Sequence, residues 1–360
     1  MRAVALVLRS FRNLGDVALD LPDSGVALVG PNGHGKTNVL EALAYPVLFR
    51  SVRGAADREV GRFGGPGFHV GVTLDGGTTI AATYVAAERR KRITVDGAEQ
   101  GTIAECIGQW LAVGFFPTDL ALVQGGGAER RRWLDRMLSL ADPAYLEALL
   151  RYRSALAQRN AALRAEDLAA ATAFEPALAR TGAALGARRR MWVASAVGQW
   201  QSELADLGES SAVTLRYRGD DALDDPAAWD ERMRASRTRD LARGQTHVGP
   251  HRDDLVLGLG GHTLRHYGST GQQRSAAIAL RLLELETLAG ARGVQPTLLV
   301  DDVFAELDHD RQRRLAVRLV SRPGQRIVTA PREDDIPREL ELPRWEVQDG
   351  MIRRLLSVAA

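Results

Sequence analysis

The chain has 360 residues, 45% hydrophobic and 26% charged, with a formal net charge of +2. Those values suit a soluble globular protein of about two domains, and a near-neutral balance does not by itself announce nucleic acid. No run of about 18 apolar residues offers a membrane helix. The single Cys106 excludes a disulfide framework and suits a reducing compartment, so a cytoplasmic location is expected.

Residues 1–8 alternate and then turn polar, which reads as a strand and not a signal peptide. Strands are predicted over 2–9 and 16–21, joined through the turn residues Asn13 and Gly15. The apolar run Gly25-Val26-Ala27-Leu28-Val29 predicts a buried strand. It ends on Gly30-Pro31-Asn32-Gly33-His34-Gly35-Lys36-Thr37, which is G-x-x-x-x-G-K-T, the phosphate-binding P-loop. Residues 38–44, from Asn38 on, then space their apolar members as a helix does. Strand, glycine loop and helix start aim several backbone N–H groups at one anion. In this motif Lys36 reaches the β- and γ-phosphates of ATP and the Thr37 hydroxyl ligates Mg²⁺. A chance match in a glycine-rich loop is the alternative. Composition opposes it: of 47 basic residues only Lys36 and Lys91 are lysine, so a compact ammonium persists where a guanidinium would not suit the phosphates.

From 66 to 100 the pattern is a β-meander, with turns at Asp75-Gly76-Gly77 and Asp96-Gly97. The expectation is a mixed sheet, with antiparallel strands laid beside the nucleotide-binding core. Composition shifts at Gly125-Gly126-Gly127. Helical patterns then cover 128–140, 144–164, 175–207 and 227–242, with one strand candidate at 212–217. This is an inserted, mostly helical arm over 125–244, its charge nearly balanced. Arg130-Arg131-Arg132 and Arg188-Arg189-Arg190 are weak candidates for phosphate contacts; a solvated face is the default reading. From Thr246 the α/β pattern returns: strands at 255–259, 297–300 and 326–329, and a helix over 274–289. Residues 351–356 alternate poorly and are left unassigned.

Thr297-Leu298-Leu299-Val300-Asp301-Asp302 is an apolar strand ending on two carboxylates, a Walker B pattern. Asp301 would hold Mg²⁺ through water, and Asp302 would orient or deprotonate the attacking water. Upstream, Ser269-Thr270-Gly271-Gln272-Gln273 opens a helix and offers a second anion site at a helix N-terminus. An ordinary serine cap is the plainer reading. The order decides between them: signature, helix, strand, Asp-Asp, then Ala305-Glu306-Leu307-Asp308. This is the order of an ABC-type ATPase head, in which the signature of one subunit closes over the nucleotide on the P-loop of another. It implies an ATP-dependent homodimer.

The chain resembles the bacterial RecF family of recombination mediators. Phe11-Arg12-Asn13, the P-loop helix, Phe116-Pro117-Thr118-Asp119, Gln158-Arg159-Asn160, Gly249-Pro250-His251-Arg252-Asp253-Asp254, the signature and the Walker B stretch carry the likeness. The resemblance implies a head built from 1–124 and 245–360, and DNA as ligand, duplex or gapped. It implies RecO and RecR as partners, RecA indirectly, a part in SOS induction, and nucleotide contacts from Arg12, Asn13 and Asn38. Two departures from a general ABC head point to slow hydrolysis: no Gln in Glu59–Gly64 where a Q-loop would fall, and no His after Thr329. The rivals are a transporter-type ATPase subunit, against which the long arm speaks, and a nucleotide-switched scaffold for protein cargo alone.

Overall fold

A computed structural model describes residues 1–355. Its strands along the chain are β1 (Ala3–Arg9), β2 (Val17–Asp20), β3 (Gly25–Val29), β4 (Gly67–Leu74), β5 (Thr79–Val85), β6 (Arg90–Val95), β7 (Ala98–Glu99), β8 (Ala112–Phe115), β9 (Val213–Arg218), β10 (Asp254–Leu259), β11 (His262–Thr263), β12 (Thr297–Asp301), β13 (Arg326–Ala330), β14 (Arg344–Gln348) and β15 (Met351–Arg354). They fall into two units. The first holds Met1–Asp119, Asp206–Gly208 and the chain from Glu284 on; the second holds Leu120–Ala205 and Glu209–Leu283.

In the first unit one sheet runs β15-β14-β3-β13-β12-β8. Every pair in it is parallel except β14–β15. All residues of β3 and β12 are buried. Strands buried on both faces are continuous apolar runs, which is why neither alternates. The antiparallel strands do not extend this sheet, as the sequence suggested; they form their own, in the order β2-β1-β4-β5-β6-β7. There the period of two is visible. Leu8, Val70, Ala82 and Ile93 lie across from one another and are buried. The next row, Arg9, His69, Thr83 and Arg92, belongs to the other face. Asp96 and Gly97 both adopt positive φ, 50° and 81°, and close the turn from β6 to β7. Of the residues left unassigned, Met351–Arg354 form β15, and Leu356 lies outside the described residues.

The second unit contains the helices Gly127–Ala141, Pro143–Arg164 and Pro226–Arg243, most of Glu175–Asp206, and the antiparallel sheet β11-β10-β9. Asp142 and Asp225 each cap a helix whose first residue is proline. An Asp-Pro start supplies an acceptor for an orphan N–H and a preset φ. The unit continues past 244 to Leu283, beyond the expected arm, because β10 pairs with β9 over its full length.

The expectation of solvated arginines fails here for three residues. Arg130 grips Asp254 with Nε and Nη2 at 2.9 and 3.0 Å. Arg189 binds Asp135, the Tyr145 hydroxyl and the Pro250 carbonyl. Arg159 is fully buried and binds Asp240, Thr246 and Glu175. The Gln-Arg-Asn and Gly-Pro-His-Arg-Asp-Asp stretches therefore supply the polar core of this unit. His251 belongs to it: Nε2 faces the Thr246 carbonyl at 3.0 Å, so Nδ1 accepts from the Tyr152 hydroxyl at 2.6 Å. Burial pushes this imidazole down to about 4, so it is neutral at neutral pH. Charge reversal at Arg130 has a clear expected outcome. Arg130→Glu leaves the buried Asp254 facing a like charge and should destabilise the unit by roughly 3–5 kcal/mol. Arg132→Glu, at an exposed residue, should change stability by under about 0.5 kcal/mol. Thermal denaturation of both variants checks this, and an unaltered melting curve for Arg130→Glu would contradict it.

Candidate functional site

The P-loop leaves β3 at Gly30 and enters the helix Lys36–Leu48. Two glycines are required by their surroundings. A Cβ on Gly30 would lie 2.3 Å from the Val347 carbonyl oxygen, and one on Gly35 would lie 2.8 Å from Leu14 Cδ2; both have positive φ. A Cβ on Gly33, an exposed residue, would meet nothing within 4 Å, and glycine is needed there only for its positive φ of 84°. Lys36 is 3% exposed. Its ammonium donates to the Gly30 carbonyl at 2.7 Å and the Pro31 carbonyl at 3.1 Å, with Asn32 Oδ1 at 3.4 Å. A glycine-rich loop, a helix N-terminus and one compact cation fit a phosphate chain.

Thr37 donates to Asp301 Oδ1 at 2.8 Å, joining residues 264 positions apart. A hydroxyl and a strand-end carboxylate in contact are the donor set a hard divalent cation takes, with water completing its shell. Burial lifts the Asp301 carboxyl above its ordinary range, the Asp302 charge adds to this, and the hydrogen bonds from Thr37 and Thr329 oppose it. A cation at that place would favour the ionised form. Asp302 turns the chain with φ 49°, and its carboxylate lies 2.9 Å from the Thr329 hydroxyl.

The remaining P-loop neighbours divide. Asn13 donates to the Gly33 carbonyl at 3.3 Å and accepts from Asn38 Nδ2 at 2.7 Å, so both asparagines brace the loop. The Arg12 guanidinium is turned to Glu41, which it holds at 3.0 and 2.8 Å, and to the Glu59 carbonyl. Glu41 is wholly buried, so Arg12 has a structural partner in this conformation. The sequence reading missed the turn at Asp349-Gly350. Gly350 donates to the His34 carbonyl, Asp349 N–H donates to His34 Nδ1, and Gly15 donates to the Gly350 carbonyl. The β14–β15 hairpin thus clasps the P-loop from outside. Its Asp-Gly pair, with φ 50° and 77°, was the signal that could have found it.

The signature belongs to the second unit. Ser269 Oγ accepts from Gln272 N–H at 3.3 Å, and Ser269 N–H donates to Gln272 Oε1 at 2.9 Å. This is a reciprocal capping box at the start of the helix Thr270–Arg292. Ser269 and Thr270 are exposed; Gly271 and Gln272 are half-buried. Gln273 points inward, donating to the Leu264 and Arg265 carbonyls and accepting from Gln124.

If Asp302 positions water while Asp301 and Thr37 serve the metal, Asp302→Asn should leave ATP affinity within about twofold and lower hydrolysis by about 10²-fold or more. Loss of ATP binding in that variant would show the two roles to be exchanged.

No family model matches the chain. The whole chain shares a fold with ABC-type ATPase heads: an Smc head domain from Pyrococcus furiosus, solved with the C-terminal domain of ScpA, superposes with a TM-score of 0.58 at 15% identity, over 98% of this chain and 96% of that one. A solved structure of the recombination mediator protein RecF with ATP, of the RecFOR pathway, superposes with a TM-score of 0.89 at 28% identity, covering 99% and 98%. The DNA replication and repair protein RecF of Anaeromyxobacter sp. (strain K) is 36% identical over 99% of this chain and 100% of its own length. The chain belongs to the RecF family. Among the described residues no helix is long and apolar enough to cross a membrane.

Proposed function

We propose that this chain is an ATP-dependent DNA-binding protein of recombinational repair and replication-fork maintenance. ATP, with Mg²⁺ on Thr37 and Asp301, brings two copies together. Each P-loop then meets the Ser269–Gln273 signature of the other copy. The paired form clamps DNA near single-strand gaps and helps RecO and RecR load the recombinase RecA, which supports SOS induction. Slow hydrolysis, with Asp302 at the water, opens the pair and releases the DNA. The compartment is the cytoplasm.

The observation that carries this reading is the 2.8 Å contact between Thr37, the last residue of the P-loop, and Asp301. It supports the reading because a hydroxyl and a strand-end carboxylate in contact suit a divalent cation next to a phosphate-binding motif, in a chain of the RecF family. Family membership supports the DNA and protein partners. The +2 net charge does not. Sedimentation with and without ATP and Mg²⁺ tests the pairing. The mass should double with ATP, and a mass unchanged at saturating ATP would refute it.

A further inference from the structure

In ABC-type heads of transporters a histidine follows the strand next to the Walker B strand. Here that strand is β13, and Pro331-Arg332 follow its end at Ala330 with no histidine. What β13 does offer is Thr329, wholly buried between the two carboxylates. Its Oγ1 lies 2.9 Å from Asp301 Oδ1 and 2.9 Å from Asp302 Oδ1, and it accepts the Asp302 backbone N–H at 2.9 Å.

We infer that Thr329 is the positioning residue of this site, setting Asp302 for its work on water. A hydroxyl carries one proton and two lone pairs. One lone pair takes the Asp302 N–H, which pins a residue whose φ of 49° few side chains adopt. The proton serves one carboxylate at a time. Asp301 has a second donor in Thr37, at 2.8 Å on the same Oδ1; no donor other than Thr329 is found on the Asp302 carboxylate among the described hydrogen bonds. When Thr37 and Asp301 are engaged by a cation, the Thr329 proton is left to Asp302. One hydroxyl thus fixes both the backbone and the carboxylate of Asp302. Threonine suits the task because its β-branch restricts χ1 on a strand.

The inference rests on the proposed ATPase reading, and the test separates the two. Thr329→Val and Thr329→Ala remove the hydroxyl; Thr329→Ser keeps it. Affinity for a non-hydrolysed ATP analogue with Mg²⁺ and steady-state kcat and KM are measured for each. Expected for the hydroxyl-free variants are analogue affinity and KM within about twofold of wild type, and a kcat lower by about tenfold or more, part of the ~10²–10⁴ that a placed base contributes. Thr329→Ser should recover kcat to within about threefold, its freer χ1 accounting for the shortfall. Wild-type kcat in either hydroxyl-free variant overturns the inference. So does a Thr329→Ser protein no faster than Thr329→Val. So does loss of analogue binding or of folding in both hydroxyl-free variants, which would assign the hydroxyl to the architecture alone. The underlying reading fails differently: there the wild-type protein itself would turn over no ATP.

Discussion

Lys36→Arg is expected to weaken ATP binding by about a hundredfold or more. The ammonium is the one cation inside the loop, held by oxygens of Gly30, Pro31 and Asn32 within 3.4 Å. Charge-assisted hydrogen bonds are worth roughly 1.5–3 kcal/mol each, so losing one or two of them accounts for that factor. Arginine keeps the charge, but its planar head is larger and its donors lie in a fixed fork. At a position 3% exposed the larger head cannot turn out to solvent and has to be placed among the loop's own atoms. Calorimetric titration with ATP and Mg²⁺ measures the effect. Wild-type affinity would mean that Lys36 does not meet the phosphates.

Ser269→Arg should have an equally large effect, of a different kind. Ser269 caps its own helix, so its loss costs about 0.5–2 kcal/mol of local stability. That is too little to unfold the second unit, and the P-loop with its Thr37–Asp301 pair lies in the first. One copy should therefore still bind ATP. Pairing and hydrolysis should both fail, because a bulky cation would occupy the closing interface. Mixing Ser269→Arg with Lys36→Arg restores, in each mixed pair, one site with an intact P-loop and an intact signature. Partial recovery of hydrolysis from two inactive proteins is expected. Normal ATP-dependent pairing by Ser269→Arg alone would reduce the serine to a helix cap.

How much of this was legible in the sequence follows from range. The P-loop, the apolar strand before it and the Asp301-Asp302 step are local patterns with local physical causes, and the structure forms them as strand, loop and strand end. The long helices are legible from composition and helical pattern. Partners distant in the chain were not. Arg130, Arg159 and Arg189 stand among other charged residues on helices, and only the fold reveals Asp254, Asp240 and Asp135 against them. A run of arginines has the same spelling whether solvated or buried. β14 carries Trp345 and Val347 on its buried side, too short an alternation to separate from a loop; its value to the P-loop lies in the Asp349-Gly350 turn. In the sequence Thr329 is marked only by the absence of a histidine after it. Its neighbours at 301 and 302 are adjacent because β12 and β13 pair in parallel, Asp301 opposite Thr329.

If ATP converts this chain into a DNA-holding pair, its affinity for a gapped duplex must differ with and without ATP. Fluorescence anisotropy at fixed salt, with ATP and Mg²⁺, with ADP, and with neither, is the measurement; salt is held constant because phosphate contacts make affinity salt-dependent. Binding should tighten at least about tenfold with ATP and not with ADP, as two engaged copies act together on one DNA molecule, with the gain lost in Lys36→Arg and Ser269→Arg. Equal affinity in all three nucleotide states for the wild-type protein would contradict it.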